Sequence, residues 1–274
     1  MEEILQLQQV SYSYEEHKDA LSDCTVCIGT GERIAVLGNN GAGKSTFFLL
    51  ANGVLTPRCG QIILDGQPIG KTNKEKNRLR RSVGLVFQEP DVQILAGTVR
   101  QEISFGPMNL RLSKDEVAKR VDWAMEQLDL TDYRNRAPQY LSGGEKKRVT
   151  IADVLAMQPR IMLLDEPTAS LDPANTQLLE ENLYHLEQQG ITLVISTHDV
   201  DFAWRWAKRV LIFHEGRLVR DAAPDEVFAD TDLLRQCSLK QPMLYQVCEA
   251  LGLQPQRTIE SFRSAYQQKM EDSE

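Results

Sequence analysis

The residues most able to do chemistry stand together early in the chain, in Gly38-Asn39-Asn40-Gly41-Ala42-Gly43-Lys44-Ser45-Thr46. The glycines allow a loop to turn its backbone N–H groups inward and let anionic oxygens approach. Lys44 has the reach to meet β- and γ-phosphate oxygens, and the Ser45 hydroxyl is a hard ligand for Mg²⁺. The plain alternative is a loop that only caps a helix. Against it stands the context: the apolar run Ile34-Ala35-Val36-Leu37 precedes the loop, and Phe47-Phe48-Leu49-Leu50 follows as a helix ending near Gly53. Strand, glycine loop and helix together make a phosphate-binding loop, with the helix dipole aimed at the anion.

Five further stretches carry groups that suit a bound phosphate. Asp165-Glu166 closes the apolar run that ends Leu163-Leu164, where ligands of α/β sheets collect. Asp165 would hold Mg²⁺ and Glu166 would polarise a water; the alternative is an acidic turn. His198, in Ser196-Thr197-His198-Asp199, also follows a buried-type run and has the chemistry to contact a γ-phosphate, although a lone histidine also serves structure. Gln88, after Val86-Phe87, has an amide able to ligate Mg²⁺ or orient water. Ser142-Gly143-Gly144-Glu145 has capping-box spacing and reads as a helix start. Its paired glycines exceed what a cap requires and make a second anion-facing surface. In Ser170-Leu171-Asp172-Pro173 the last two residues are accounted for as N-cap and first helical residue.

Elements that would position these groups follow from hydrophobic periodicity. Leu5, Leu7 and Val10, then Val26, Ile28, Ile34 and Val36, alternate in part and predict strands over residues 4–37. A strand ending in an Asp65-Gly66 turn is expected over residues 60–66, and a buried one at Val83-Gly84-Leu85-Val86-Phe87. The basic segment from Lys71 to Arg81 reads as a solvated connection. Helices dominate from Glu89 to Gln158: Ser113 and Glu116 form a capping box, Val117, Val121, Met125 and Leu128 recur at helical spacing, and another helix runs from about Glu145 to Met157. Ile161-Met162-Leu163-Leu164 and Thr192-Leu193-Val194-Ile195 read as parallel strands buried on both faces, with a helix from about Pro173 to Gln188 between them. After Leu218 a tail of short helices is expected, with Leu244, Val247, Cys248 and Leu251 as one apolar stripe and Phe262 and Tyr266 marking another.

Composition limits the class. With 42% hydrophobic and 26% charged residues, the chain is that of an ordinary globular protein. A net charge of −8 argues against a general nucleic-acid binder. No apolar run approaches the roughly 20 residues of a membrane span. The acidic start Met1-Glu2-Glu3-Ile4 lacks an apolar signal core, so secretion is not expected. The five cysteines are scattered, which suits a reducing compartment; Cys24 and Cys27 read as small strand residues on opposite faces. His17, His185, His198 and His214 do not cluster.

The order of these stretches resembles the ATP-binding cassette family over roughly residues 4–220. The resemblance implies an α/β fold: a P-loop cassette ATPase core with a mainly parallel sheet, an N-terminal antiparallel β subdomain and an inserted α-helical subdomain. It implies an ATP-binding cassette domain over residues 1–220, its helical subdomain at about 89–158, and a C-terminal helical extension over 221–274. ATP and Mg²⁺ are the implied ligands. Two cassettes would pair head to tail around two ATP molecules. Lys44, Ser45 and Thr46 of one chain would hold phosphates that Ser142, Gly143 and Gly144 of the partner close upon. Glu166 would be the general base, His198 the γ-phosphate contact, and Asp172 a link between the halves. Tyr14, in Ser11-Tyr12-Ser13-Tyr14, matches the aromatic that stacks on adenine, with Tyr12 as second choice. Glu145 departs from the family's usual glutamine and would bring a negative charge near the partner's nucleotide.

Phe87-Gln88-Glu89-Pro90-Asp91-Val92-Gln93 and Phe105-Gly106-Pro107-Met108-Asn109-Leu110 resemble the ATPases of energy-coupling-factor importers, and Thr197-His198-Asp199-Val200-Asp201-Phe202-Ala203 their cobalt and nickel branch. This implies an ATPase at the cytoplasmic face of the cell membrane, driving uptake of cobalt ion, with nickel and then a vitamin as the alternatives. The implied partners are a second, identical cassette, a transmembrane coupling subunit and a substrate-binding membrane subunit, with no nucleic acid. Asp91, Gln93 and residues 104–110 are the expected docking neighbourhood. A soluble cassette enzyme of DNA repair or translation is the competing class, disfavoured because neither a long coiled coil nor a second cassette is present in the sequence.

Overall fold

Two sheets organise the chain. The structure, a computed structural model, describes residues 2–15 and 18–272, with Lys18 as backbone only; Met1 and His17 lie outside the described residues. In chain order the strands are β1 (Glu3–Glu15), β2 (Lys18–Gly29), β3 (Arg33–Leu37), β4 (Cys59–Leu64), β5 (Gln67–Pro68), β6 (Val83–Val86), β7 (Ile161–Asp165), β8 (Thr192–Ser196), β9 (Arg209–His214) and β10 (Arg217–Ala222). An antiparallel sheet runs in the order β2-β1-β4-β5, and a six-stranded sheet in the order β10-β9-β3-β8-β7-β6. In the larger sheet β9, β3, β8, β7 and β6 are parallel and β10 is antiparallel to β9.

The uninterrupted apolar runs are used on both faces. In β3, Ala35 and Leu37 enter one core while Ile34 and Val36 enter the other; β7 divides the same way, with Met162 and Leu164 opposed to Ile161 and Leu163. Each such fully buried Leu or Ile contributes about 1.5–3 kcal/mol. One core lies between the two sheets, with α1 (Lys44–Ala51), and contains Phe47, Phe48, Leu50 and Leu79 of α2 (Asn73–Ser82). The other is shared by the helices beyond β6: α3 (Pro90–Gln93), α4 (Val99–Asn109), α5 (Lys114–Gln127), α6 (Gly143–Ala156), α7 (Pro173–Gln188) and α8 (Val200–Trp206) pack on or beside it. Imperfect alternation in β1 has a local cause. Gln9, at φ 50°, inserts a bulge between Leu7 and Val10, so both remain buried.

Three expectations need correction. Lys71 to Arg81 is largely solvent-exposed, as expected, but it is not a mere connection; most of it is α2. Thr72 and Glu75 close a capping box, Leu79 is buried, and the arginines reach backbone carbonyls, Arg78 Nη2 to Leu64 O at 2.8 Å and Arg80 Nη2 to Gly53 O at 2.9 Å. At α5 only half of the expected box forms. Ser113 Oγ accepts from Glu116 N at 3.3 Å, while the Glu116 carboxylate accepts from Arg120 Nε at 2.7 Å. The tail does not begin at Leu218, because β10 runs through 220 as the edge strand of the main sheet.

Beyond β10 lie α9 (Pro224–Ala229), α10 (Thr231–Gln236), α11 (Met243–Ala250) and α12 (Ile259–Glu271). Val227, Phe228, Leu234, Cys237 and Tyr245 join the same core as the helices beyond β6. On α11 the buried residues are Tyr245 and Cys248, whereas Val247 and Leu251 of the expected stripe are exposed. Trp204 of α8 anchors the extension. Its ring meets Phe228 and Tyr245 edge-on at 5.8 and 5.3 Å, its Nε1 donates to Gln256 O at 2.8 Å, and Arg257 lies 4.9 Å over it.

Candidate active site

β3, β8, β7 and β6 are adjacent and parallel, so their carboxyl ends share one edge of the sheet. From these ends come the glycine loop, the Thr197-His198 step, the Asp165-Glu166 pair and Gln88. This is where ligands of parallel α/β sheets bind.

Leaving β3, the chain must pass under β9. A Cβ on Gly38, at φ 146°, would stand 2.3 Å from Phe213 O, and one on Gly43, at φ 104°, would stand 2.8 Å from Ala20 O. Only glycine fits either place. The loop closes on itself with Ala42 N donating to Asn39 O at 3.1 Å. The turn between β9 and β10 braces it from outside: Gly216 N donates to Ala42 O at 3.0 Å, and Ser22 N to Gly216 O at 2.7 Å. Lys44 is buried, and its Nζ donates to Gly38 O at 2.6 Å and Asn39 O at 3.3 Å. Burial pushes the Lys44 ammonium below its usual range, against the opposing pull of the Glu166 and Asp165 carboxylates. Ser45 is exposed at the first turn of α1, where backbone N–H groups lack intrahelical partners.

A cavity of about 250 Å³ opens over this turn. Tyr14, residues 39–46, Gln88, Asp165, Glu166 and His198 line it, with Ala20. Tyr14 is 60% exposed, stands edge-on to Tyr12 at 5.0 Å, and its hydroxyl is 3.4 Å from Thr46 Oγ1. Gly38, expected among the phosphate-binding residues, is buried beneath the loop rather than on the cavity wall.

The acidic pair is rigidly held. Ser196 Oγ donates to Asp165 Oδ1 at 2.5 Å and accepts from Glu166 N at 3.0 Å, which also donates to Ser196 O at 3.2 Å. Glu166 takes a left-handed backbone, φ 46°, and its side chain is buried. Its Oε1 is 3.0 Å from His198 Nε2 without the alignment of a hydrogen bond, which leaves a buried acceptor facing the cavity. Burial pushes the Glu166 carboxyl above the usual carboxylate range, opposed by His198 and Lys44. The oxygen donors of Ser45, Gln88 and Asp165 all reach one cavity, a hard donor set that fits Mg²⁺ with waters and phosphate completing its shell.

Residues 142–144 and Asp172 do not line this cavity. They gather elsewhere, at the N-termini of α6 and α7. Asp172 accepts from Asn175 N at 2.9 Å and Asn175 Nδ2 at 2.7 Å, and a Cβ on Gly144 would stand 2.5 Å from Asn175 Oδ1. Ser142 and Gly143 are exposed there. The Glu145 carboxylate turns back to accept from Ser142 N at 2.6 Å, completing a capping box. The glycine-bearing N-termini of α1 and α6 thus lie at different places on the chain, only the first of them on this cavity. Two buried residues that hold the site were not singled out from sequence. Ser196 had a signal, since it immediately precedes Thr197-His198; Lys147 had none beyond its place in a basic helix start.

The ABC transporter family pattern matches residues 21–169, which takes in the glycine loop, Gln88, residues 142–144 and the acidic pair. An energy-coupling factor transporter ATP-binding protein of Methanothermobacter thermautotrophicus is 46% identical, over 87% of this chain and 77% of its own. Its counterpart in Methanococcus maripaludis is 44% identical, over 90% of this chain and 89% of its own. Among solved structures, CbiO1 of Clostridium perfringens, part of the ABC transporter complex CbiONQ, aligns with a TM-score of 0.78 at 38% identity, covering 92% of this chain and 100% of that one. A dimeric ATP-binding cassette in a post-hydrolysis state, bound to ADP and Pi, aligns with a TM-score of 0.73 at 28% identity over 81% of this chain and 99% of its own. The chain belongs to the ABC transporter family, as an ATP-binding and ATP-hydrolysing cassette of the energy-coupling factor type.

Proposed function

We propose that this cassette pairs with a second copy and couples ATP binding and hydrolysis to uptake of cobalt ion through membrane subunits, from the cytoplasmic face of the cell membrane. The observation that carries the pairing is the separation of the two glycine-bearing helix N-termini. The cavity holding Lys44 and Glu166 lacks residues 142–144; Ser142 and Gly143 stand exposed on another part of the surface, with Gly144 buried behind them against Asn175. Head-to-tail pairing would bring the partner's copy of that surface onto the nucleotide. Cobalt as cargo rests on the resemblance carried by residues 197–203, with nickel or a vitamin as the alternative. We take residues 1–220 as the cassette, with its helical subdomain at about 89–158, and 221–274 as the extension packed on it.

In this reading Tyr14 stacks on adenine, and residues 39–46 cradle the phosphates with Lys44. Ser45, Gln88 and Asp165 hold Mg²⁺, which when bound neutralises charge on the phosphate oxygens. The buried Oε1 of Glu166, which has no hydrogen-bond donor of its own, takes a proton from the attacking water, and His198 orients the γ-phosphate. Asp172 helps join the two halves of the pair. ATP touching both chains favours the closed pair, and loss of the γ-phosphate link releases it.

A groove of about 540 Å³ lies apart from the chemistry, walled by Gln93, Phe105, Gly106, Asn109 and Leu110 of the helical part and by Arg80 and Arg81 of α2. It suits a short helix of the membrane subunit. Asp91, expected in that neighbourhood, is not on its wall and pairs with Lys146 Nζ at 2.7 Å.

Glu166→Gln tests the site. It is expected to keep ATP binding and lose turnover by about 10²–10⁴-fold; wild-type turnover would remove Glu166 from the role of base. Uptake by the reconstituted complex, with cobalt, nickel and a vitamin compared, tests the cargo.

A further inference from the structure

Lys147 is 4% exposed, although it stands between Lys146 and Arg148 at the start of α6. A buried ammonium is costly unless its donors are satisfied. Here Nζ donates to two backbone carbonyls, Gln88 O and, at 3.1 Å, Glu166 O. These belong to the residues just past the carboxyl ends of β6 and β7. Burial pushes the Lys147 ammonium down, and the carboxylates of Asp165, Glu166 and Glu89 oppose the shift.

The contact to Glu166 has a mechanical meaning. Glu166 is a non-glycine residue at φ 46°, a conformation that persists only where its surroundings hold it. Ser196 holds its N–H side and Lys147 its carbonyl side. The Phe87-Gln88 step is tied to the same helix twice. Lys147 takes the Gln88 carbonyl, and Gln93 accepts from Phe87 N at 3.2 Å while donating to Thr150 O and Asp153 Oδ2 of α6, both at 3.1 Å. The same α6 presents Ser142 and Gly144 at its N-terminus.

We infer that Lys147 is the positioning residue through which α6, whose N-terminus would complete one ATP site, reaches the base and the glutamine of the other. This rests on the pairing proposed above. When α6 shifts as residues 142–144 meet a nucleotide, Lys147 carries the carbonyls of Gln88 and Glu166 with it and sets Oε1 in line with the attacking water.

The test uses full-length Lys147→Met and Lys147→Arg, with steady-state ATPase over a range of ATP, binding of a fluorescent ATP analogue, and thermal unfolding. The wild type is expected to show a Hill coefficient above one. Lys147→Met, which keeps length but no donors, is expected to bind nucleotide within about twofold of wild type, because the phosphate loop is untouched. Its kcat is expected to fall by about 10²-fold, the cost of an ångström-scale misplacement, and its Hill coefficient to fall to about one. Lys147→Arg is expected to recover about tenfold of kcat by restoring charged donors. If Lys147→Met does not fold, Lys147→Gln, which keeps an N–H donor, is expected to show the same split between kcat and binding at about tenfold. A folded Lys147→Met with wild-type kcat and Hill coefficient overturns the inference, as does a kcat loss matched by equal loss of nucleotide binding and no recovery with arginine. Size exclusion of Glu166→Gln with ATP separates this from the pairing itself. A persistent monomer overturns the pairing and the inter-site coupling with it; a dimer combined with an unchanged Hill coefficient in Lys147→Met overturns the coupling alone.

Discussion

Asp153→Asn is expected to stabilise the protein at alkaline pH and leave it unchanged in acid. Asp153 sits on α6 at the groove wall, and its Oδ2 accepts from Gln93 Nε2 at 3.1 Å. Burial pushes its carboxyl from 3.8 up to about 7, with the Gln93 hydrogen bond opposing and the Glu102 charge adding to the rise. A carboxyl whose folded pKa exceeds its unfolded one binds its proton more tightly in the folded state. The stability this contributes is complete below pH 3.8 and is lost as pH rises through about 7. At about 1.4 kcal/mol for each tenfold, the gap is worth about 4 kcal/mol over the whole range and about 3 kcal/mol between pH 5 and 8. Asp153 keeps part of its surface open to the groove, which makes these upper values. Asparagine is isosteric with the protonated form and can still accept from Gln93. Urea unfolding of both proteins at each pH gives the difference directly, with other titrating groups cancelling. The variant should match wild type near pH 4 and gain steadily towards pH 8. Parallel stability curves would refute the reasoning, because they would place Asp153 in the ordinary carboxylate range.

Three further perturbations address the site and its frame. Tyr14→Ala removes an exposed ring from the cavity wall and should raise KM for ATP by about tenfold through lost stacking, with kcat little changed; an unchanged KM would assign adenine to another residue. Ser142→Arg should abolish turnover alone, and mixing it with Lys44→Ala chains should restore a fraction of single-site hydrolysis; failure of every mixture speaks against a site shared between chains. Arg209 joins Glu32 at 3.0 Å, Asp221 at 2.6 Å and Cys27 O at 2.9 Å, tying β9 to both sheets. Arg209→Met strands those carboxylates and should cost about 3 kcal/mol in urea unfolding while nucleotide affinity holds; a loss under about 0.5 kcal/mol would show a pair no stronger than a surface one.

What was legible in the chain was what short-range physics dictates. A phosphate loop needs its glycines, lysine and hydroxyl within a few consecutive residues, so Gly38 to Thr46 could be read directly. Buried parallel strands need apolar residues on both faces, so the runs before Asp165 and before His198 announced where those side chains would emerge. The misreadings arose where a residue's partner is distant. Lys71 to Arg81 is solvated, and what hides its helix is that its arginines are held by distant carbonyls, Leu64 O and Gly53 O, while only Leu79 is buried. The edge strand through 220 depends on β9, and the meeting of Gly144 with Asn175 on the packing of α6 against α7. Lys146 and Lys147 make the point most sharply. In sequence they are equivalent neighbours in a basic helix start; in the fold one pairs with Asp91 at the surface and the other is buried against Gln88 and Glu166. The sequence by itself determined which chemistry is present and at which strand ends it emerges, because those requirements are local. Only the tertiary structure decided which groups share a cavity, which face outward as a second surface, and which lysine is buried beneath the base, because the rotation of a helix about its axis is set by everything packed against it.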